Sequence, residues 1–157
     1  METNGAILTR SSNVFQGMFI ENSTMENSIS TRIKYQMQKA KISQPRLAKE
    51  IGCSRDRIFC YANGKVSEGY MDIELLKKLA GFFELDPYYF CNEYHVFVDT
   101  MDVPKVLKQL REKEGLSQRE FAEKMKIPLA SYKVYESGKT RLAEKYWKRL
   151  KRQLKIE

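Results

Sequence analysis

From Ile29 onward, apolar residues recur every three to four positions, and the period breaks at a few sharp points. Ile29, Ile33 and Met37 predict a first helix. Ser43 is placed as the N-cap of a second helix, QPRLAKEI, with Leu47 and Ile51 facing inward. GCS (52–54) reads as a tight turn, and Ser54 caps a third helix, RDRIFCYAN, which Gly64 stops. MDIELLKKLAGFF predicts a fourth helix, and Asp86 with Pro87 starts a short fifth, PYYFCN, as N-cap and first helical residue.

The stretch at 93–100 alternates apolar and polar and is expected to be a linker that forms either a strand or an extended segment. Helical spacing resumes with Asp102 and Pro104 in VPKVLKQLREKE. SQRE (117–120) has the form of a capping box, with Glu120 able to reach back to the amide of Ser117. Pro128 opens a further helix, and RLAEKYWKRLKRQLKI ends the chain as one basic amphipathic helix with Leu142, Tyr146, Leu150 and Leu154 in a stripe. Residues 1–27 show no sustained period and are expected to form a flexible arm, with a short element around Val14 to Ile20 as the alternative.

The pattern repeats. YANGK (61–65) returns as YESGK (135–139), so Tyr61 and Tyr135 stand 135 − 61 = 74 residues apart. Extended backward, SQPRLAKEIGCSRDRIFCYANGK lies over SQREFAEKMKIPLASYKVYESGK with six of 23 positions identical. Ordinary residue usage would match about one or two. Apolar character is kept at Leu47/Phe121, Ile51/Met125, Cys53/Ile127 and Cys60/Val134. A fixed-period recurrence of this kind marks a repeated structural unit. The chain therefore divides into an arm at 1–27, a first domain at 28–92, a linker at 93–100 and a second domain at 101–157.

Charge sharpens this division. The net charge of +8 splits into −2 over 1–27, +4 over 28–92, −2 over 93–100 and +8 over 101–157. A basic excess confined to the repeated units points to a polyanion such as nucleic acid, with a lysine-rich solvated surface as the plain alternative. Cys53, Cys60 and Cys91 fit no common zinc or redox spacing, so a reducing, cytoplasmic setting is expected and no metal site. His95 has no nucleophile or base partner in pattern, and no glycine-rich phosphate loop occurs. Neither an enzyme nor a cofactor is expected. No apolar run approaches the roughly 18 residues of a membrane span.

Two short helices joined by a three-residue turn, the second ending at glycine, make a helix-turn-helix. Both copies resemble the Cro/C1-type helix-turn-helix domain of phage repressors and XRE-like regulators. The resemblance is carried by SQPRLAKEIGCSRDRI…NGK and LKQLREKEGLSQREFAEKM…YESGK. It implies an all-α chain of two tandem lambda-repressor-like domains, five helices and then four, the second lacking the fifth helix. It also implies a sequence-specific regulator of double-stranded DNA, with repression favoured over activation.

Helical geometry places Ile58 and Tyr61 on one face of the third helix and Arg55, Asp56, Phe59 and Cys60 on the opposite, groove-entering face. Arg55 can donate to guanine O6 and N7, Asp56 can accept from cytosine N4, and Phe59 and Cys60 suit a thymine methyl. Arg57 flanks the groove near a phosphate. The resemblance adds Gln44, Asn63 and Lys65 as backbone contacts. In the second copy the groove-side residues are Leu129, Ala130, Lys133 and Val134, with Gln118, Ser137 and Lys139 left for phosphates. The last helix adds Lys145, Lys148, Arg149, Lys151 and Arg152. Weak intrinsic specificity is expected there, with a protein interface on that apolar face as the alternative. Paired half-sites lie about one helical turn, ~34 Å, apart, so the two units can act as a pseudo-dimer or the chain can form a homodimer. From a different class, an antirepressor or an inhibitor of a host defence protein would reuse the same scaffold to bind protein.

One pair of positions tests the shared fold. Arg111 and Glu136 stand where the resemblance implies a partly buried ion pair, and the equivalent residues of the first copy are Met37 and Ala62. Both charges are absent together there, and keeping one alone would leave it unpaired. These residues are expected to approach each other in each unit.

Overall fold

A computed structural model of the chain describes residues 28–156, so the arm expected at 1–27 lies outside the described residues. These residues form α1 (Ile29–Lys39), α2 (Gln44–Ile51), α3 (Arg55–Ala62), a 3-10 turn (Glu68–Tyr70) and α4 (Ile73–Phe82). Then come α5 (Glu93–Thr100), α6 (Val103–Lys113), α7 (Gln118–Met125), α8 (Leu129–Glu136) and α9 (Glu144–Gln153). The fold class is all-α, with no strand among the described residues. The described residues divide into two compact units, unit 1 ending at Val96 and unit 2 starting at Phe97.

The helix starts are set by short polar side chains. Ser43, Ser54 and Asp102 accept from the amides of Arg46, Arg57 and Lys105, which leaves fewer orphan donors in each first turn. Ser117 and Glu120 complete the reciprocal capping box at α7. The displacement of 74 residues extends to whole elements: α1, α2 and α3 have the same lengths and spacing as α6, α7 and α8.

In unit 1, Ile29 and Ile33 of α1, Leu47 of α2 and Ile58 of α3 meet Leu76 and Leu79 of α4, all fully buried. In unit 2, Leu107, Phe121, Met125 and Tyr132 form the equivalent core, closed by Leu142, Tyr146, Trp147 and Leu150. Trp147 packs within its own unit, its ring 6.2 Å from that of Phe97.

The segment between the repeats differs from expectation. Residues 87–90, expected to open a fifth helix, are turns, and the expected extended linker at 93–100 is α5. Asp86 does not cap a helix; its carboxylate accepts from the Tyr88 amide and makes an Asx turn. The Tyr89 carbonyl is then captured by Arg32 of α1 at 2.6 Å, and its hydroxyl by Gln36 at 3.0 Å. Tertiary hydrogen bonds thus hold the segment out of a helix.

The helix starts instead at Asn92, through a reciprocal cap. The His95 amide donates to Asn92 Oδ1 (3.0 Å) and the Asn92 amide donates to His95 Nδ1 (3.2 Å). Tyr94, His95, Val96 and Phe97 are all buried, so the alternation that suggested a strand has no polar face to serve. The boundary between the units falls inside α5 and not in an extended linker. At the other end of the chain, α9 starts at Glu144 and not at Arg141, and Leu154 is half-buried.

Each unit bends after its second helix through a left-handed residue, Gly52 (φ 73°) in unit 1 and Lys126 (φ 53°) in unit 2. A Cβ at Gly52 would meet no atom within 4 Å, so Gly52→Ala tests backbone conformation alone. It is expected to lower unit 1 stability by about 1 kcal/mol in urea titration.

Candidate nucleic-acid interface

The third helix of each unit buries one side and exposes the other. In α3, Ile58, Tyr61 and Ala62 are buried, while Arg55, Asp56, Arg57 and Phe59 are exposed and Cys60 is half-buried. The expected groove side of unit 1 is therefore open at Arg55, Asp56 and Phe59 and partly covered at Cys60. In α8, Tyr132 is buried, Ala130 and Lys133 are exposed, and Leu129 and Val134 are half-buried. Gly64 and Gly138 follow these helices at φ 63° and 75°, where a non-glycine residue would be strained, and Lys65 and Lys139 beyond them are exposed.

The residues assigned to phosphates divide into two sets. Gln44 is half-buried and has no hydrogen-bond partner among the described residues. Arg57 instead faces Asp72, the N-cap of α4, with its Nη2 3.1 Å from Oδ2. The Tyr61 hydroxyl, and more weakly the Asp72 carboxylate, raise the Arg57 pKa. This pair is solvated on both sides and is worth under about 1 kcal/mol. Asn63 donates its side-chain amide to the Phe59 carbonyl one turn earlier (2.8 Å). In unit 2, Ser137 donates to the Val134 carbonyl (2.9 Å), and Gln118 donates to Glu136 (3.4 Å).

Glu136 is the centre of the unit 2 polar cluster. Arg111 reaches it with two donors, Nη2 to Oε1 at 2.8 Å and Nε to Oε2 at 3.1 Å, and donates from Nη1 to the Leu116 carbonyl. The side chains are 16% and 7% exposed. The expected ion pair is present. Met37 and Ala62, the residues at these positions in unit 1, are both buried in the packing of α1 and α3.

Burial alone pushes the Glu136 carboxyl upward, but hydrogen bonds led by Arg111 outweigh it and hold the pKa below the ordinary value. Tyr132 is buried beside the pair and its pKa is raised, first by burial. Its hydroxyl has no well-aligned hydrogen bond.

Of the cations on the last helix, Arg149 is committed elsewhere. Its Nη1 donates to the Met125 and Lys126 carbonyls at the C-terminal end of α7. Lys145 lies over the Tyr146 ring and Lys151 over the Trp147 ring. Lys148, Arg152 and Lys155 are exposed.

Spacing did not reveal the partner of Arg57 or the capping role of Arg149, because both depend on loops that bring distant residues together. In unit 1, burial pushes the Cys53 thiol up in pKa, the opposite of an activated thiolate. No three His, Cys, Asp or Glu side chains gather to hold a metal ion among the described residues, and no described helix is long and apolar enough to cross a membrane.

Comparison with curated proteins and with solved structures gives no match. Residues 107–157, which hold α7, α8, α9 and most of α6, match the helix-turn-helix family, in agreement with the Cro/C1-type resemblance of this stretch.

Proposed function

We propose that the protein is a double-stranded DNA-binding transcriptional regulator built from two helix-turn-helix domains. The observation that carries this reading is the recurrence of α1–α3 as α6–α8 with equal lengths and equal spacing. It extends the layout of the family-matched stretch to residues 29–62. The exposed sides of α3 and α8 then enter the major groove, with Lys65 and Lys139 beside the phosphates. Repression, by occupying a promoter in the cytoplasm, is the mode that the resemblance favours. The excess of positive charge in both units supports a polyanionic partner.

The test is duplex binding by fluorescence anisotropy across a salt series. Six phosphate contacts would lower affinity roughly 10³-fold between 50 and 200 mM salt. An affinity independent of salt would sink the reading.

A second reading has its own observation. Phe59 on α3 is 46% exposed and Tyr70 on the following 3-10 turn is 82% exposed, two uncovered aromatic side chains suited to a protein partner. Salt-insensitive capture of a protein that Phe59→Ser abolishes would favour it.

A further inference from the structure

The two proposed reading faces differ in what their polar side chains are already bound to. In unit 1, Arg55 and Asp56 occupy the first turn of α3, exposed and without a hydrogen bond or ion pair among the described residues. Ser54 takes the Arg57 amide and leaves both side chains free to point outward. Gln44, at the start of α2, is also unpartnered among the described residues. The cause lies in the core: with Ala62 at the end of α3, no carboxylate is present there to bind it.

Unit 2 differs at the reading positions and at the glutamine that opens its second helix, while Ser137 and its counterpart Asn63 both bond a carbonyl of the preceding helix. Leu129 and Ala130 stand at the positions of Arg55 and Asp56 and carry no hydrogen-bonding group. Glu136 draws Gln118 inward, and Ser137 bonds the carbonyl of Val134. Charge is what this unit turns to solvent: Lys133 on α8, Lys139 beyond its end, Lys148 and Arg152 on α9, and Lys155 past the end of α9 are all exposed. Lysine ammonium groups attract phosphate as point charges and discriminate bases poorly. The guanidinium in this set, Arg152, stands on α9 and not on the proposed reading helix, whereas a guanidinium and a carboxylate on a reading helix suit guanine and cytosine edges.

We propose that all base-specific reading by this chain resides in unit 1, through Arg55 and Asp56, while unit 2 grips the phosphate backbone without regard to sequence. The proposal rests on the DNA-binding reading above. Its ligand is a duplex with a short block containing G·C pairs, flanked by a stretch held through phosphates alone.

The experiment uses the full chain and a randomised duplex pool, with selection repeated on Arg55→Ala and Lys133→Ala. Arg55 and Lys133 are exposed, so neither change removes core packing. Arg55→Ala is expected to erase every enriched block and to reduce preference for the selected duplex roughly tenfold or more. Lys133→Ala is expected to keep the enriched block, weaken all duplexes alike and lower the salt slope by about one. A block that survives Arg55→Ala, or one that changes identity in Lys133→Ala, would overturn the proposal while leaving DNA binding intact. Absence of salt-dependent retention of any duplex would overturn the DNA-binding reading itself, and this assignment with it. If the chain forms homodimers, the same block appears twice and both copies vanish together in Arg55→Ala.

Discussion

Glu136→Ala is expected to destabilise unit 2 by about 2–4 kcal/mol, because it strands Arg111 in a site that is mostly closed to water. The guanidinium loses both carboxylate contacts, and Gln118 loses its acceptor. Arg111→Met combined with Glu136→Ala reproduces the residues of unit 1, where Met37 and Ala62 pack without charge. That double variant is expected to recover to within about 1 kcal/mol of the parent, since apolar replacement of a buried pair is often neutral. Trp147 is the single tryptophan and lies in unit 2, so urea titration followed by its fluorescence isolates the effect. A double variant no more stable than Glu136→Ala would refute the account. So would a single variant that costs under half a kcal/mol.

The pair also fixes how unit 2 responds to acid. Glu136 is held below its ordinary carboxyl pKa in the folded chain. The unfolded chain therefore takes up the proton first as pH falls. The stabilisation is fully present above about pH 4.5 and is lost as pH drops through the lowered value. The same titration at pH 7 and pH 3.5 should show the parent losing stability relative to the double variant in acid.

His95→Ala is expected to cost unit 1 about 2–4 kcal/mol. The imidazole is fully buried, accepts from the Asn92 amide at Nδ1 and meets the Glu68 carbonyl with Nε2 at 2.8 Å. These two bonds select the neutral tautomer with the proton on Nε2. Removing the ring opens a void and leaves both backbone groups without these partners. The loss spreads, because Glu68 also accepts from the Ile29 amide at the start of α1 and from the Asn92 side chain. His95→Asn, which can still accept from the Asn92 amide at the third helical position, should fall between parent and alanine. Hydrogen exchange over residues 87–100 measures this directly. Unchanged protection in His95→Ala would show that the ring does not hold the segment.

Much of this was legible along the chain, and the exceptions share a cause. Ser43, Ser54, Asp102 and Ser117 cap the helices they precede because a cap acts within three residues and can be read locally. Arg111 with Glu136 was legible because the resemblance implies an ion pair at these positions and both charges are absent together from the first copy. The segment 86–100 was misread because Arg32 and Gln36, more than 50 residues earlier, decide its backbone. Asp86 then makes a turn where its sequence suits a cap equally well. Gln118 and Ser137 carry the side chains of phosphate contacts, yet in the folded chain both bond within their own unit. A short polar residue advertises the ability to bond, and only the surroundings decide with what.

The left-handed residue after the second helix has a different basis in each unit. Gly52 adopts its conformation without steric strain, and everything that ends α2 lies within the motif. Lys126 carries a side chain into the same region, and the carbonyls beside it are met by Arg149, 23 residues further on. A two-helix excerpt transplanted from unit 1 would bring its own hinge. The same excerpt cut from unit 2 would leave its clasp behind on α9, so the smallest portable piece of unit 2 is the whole of it.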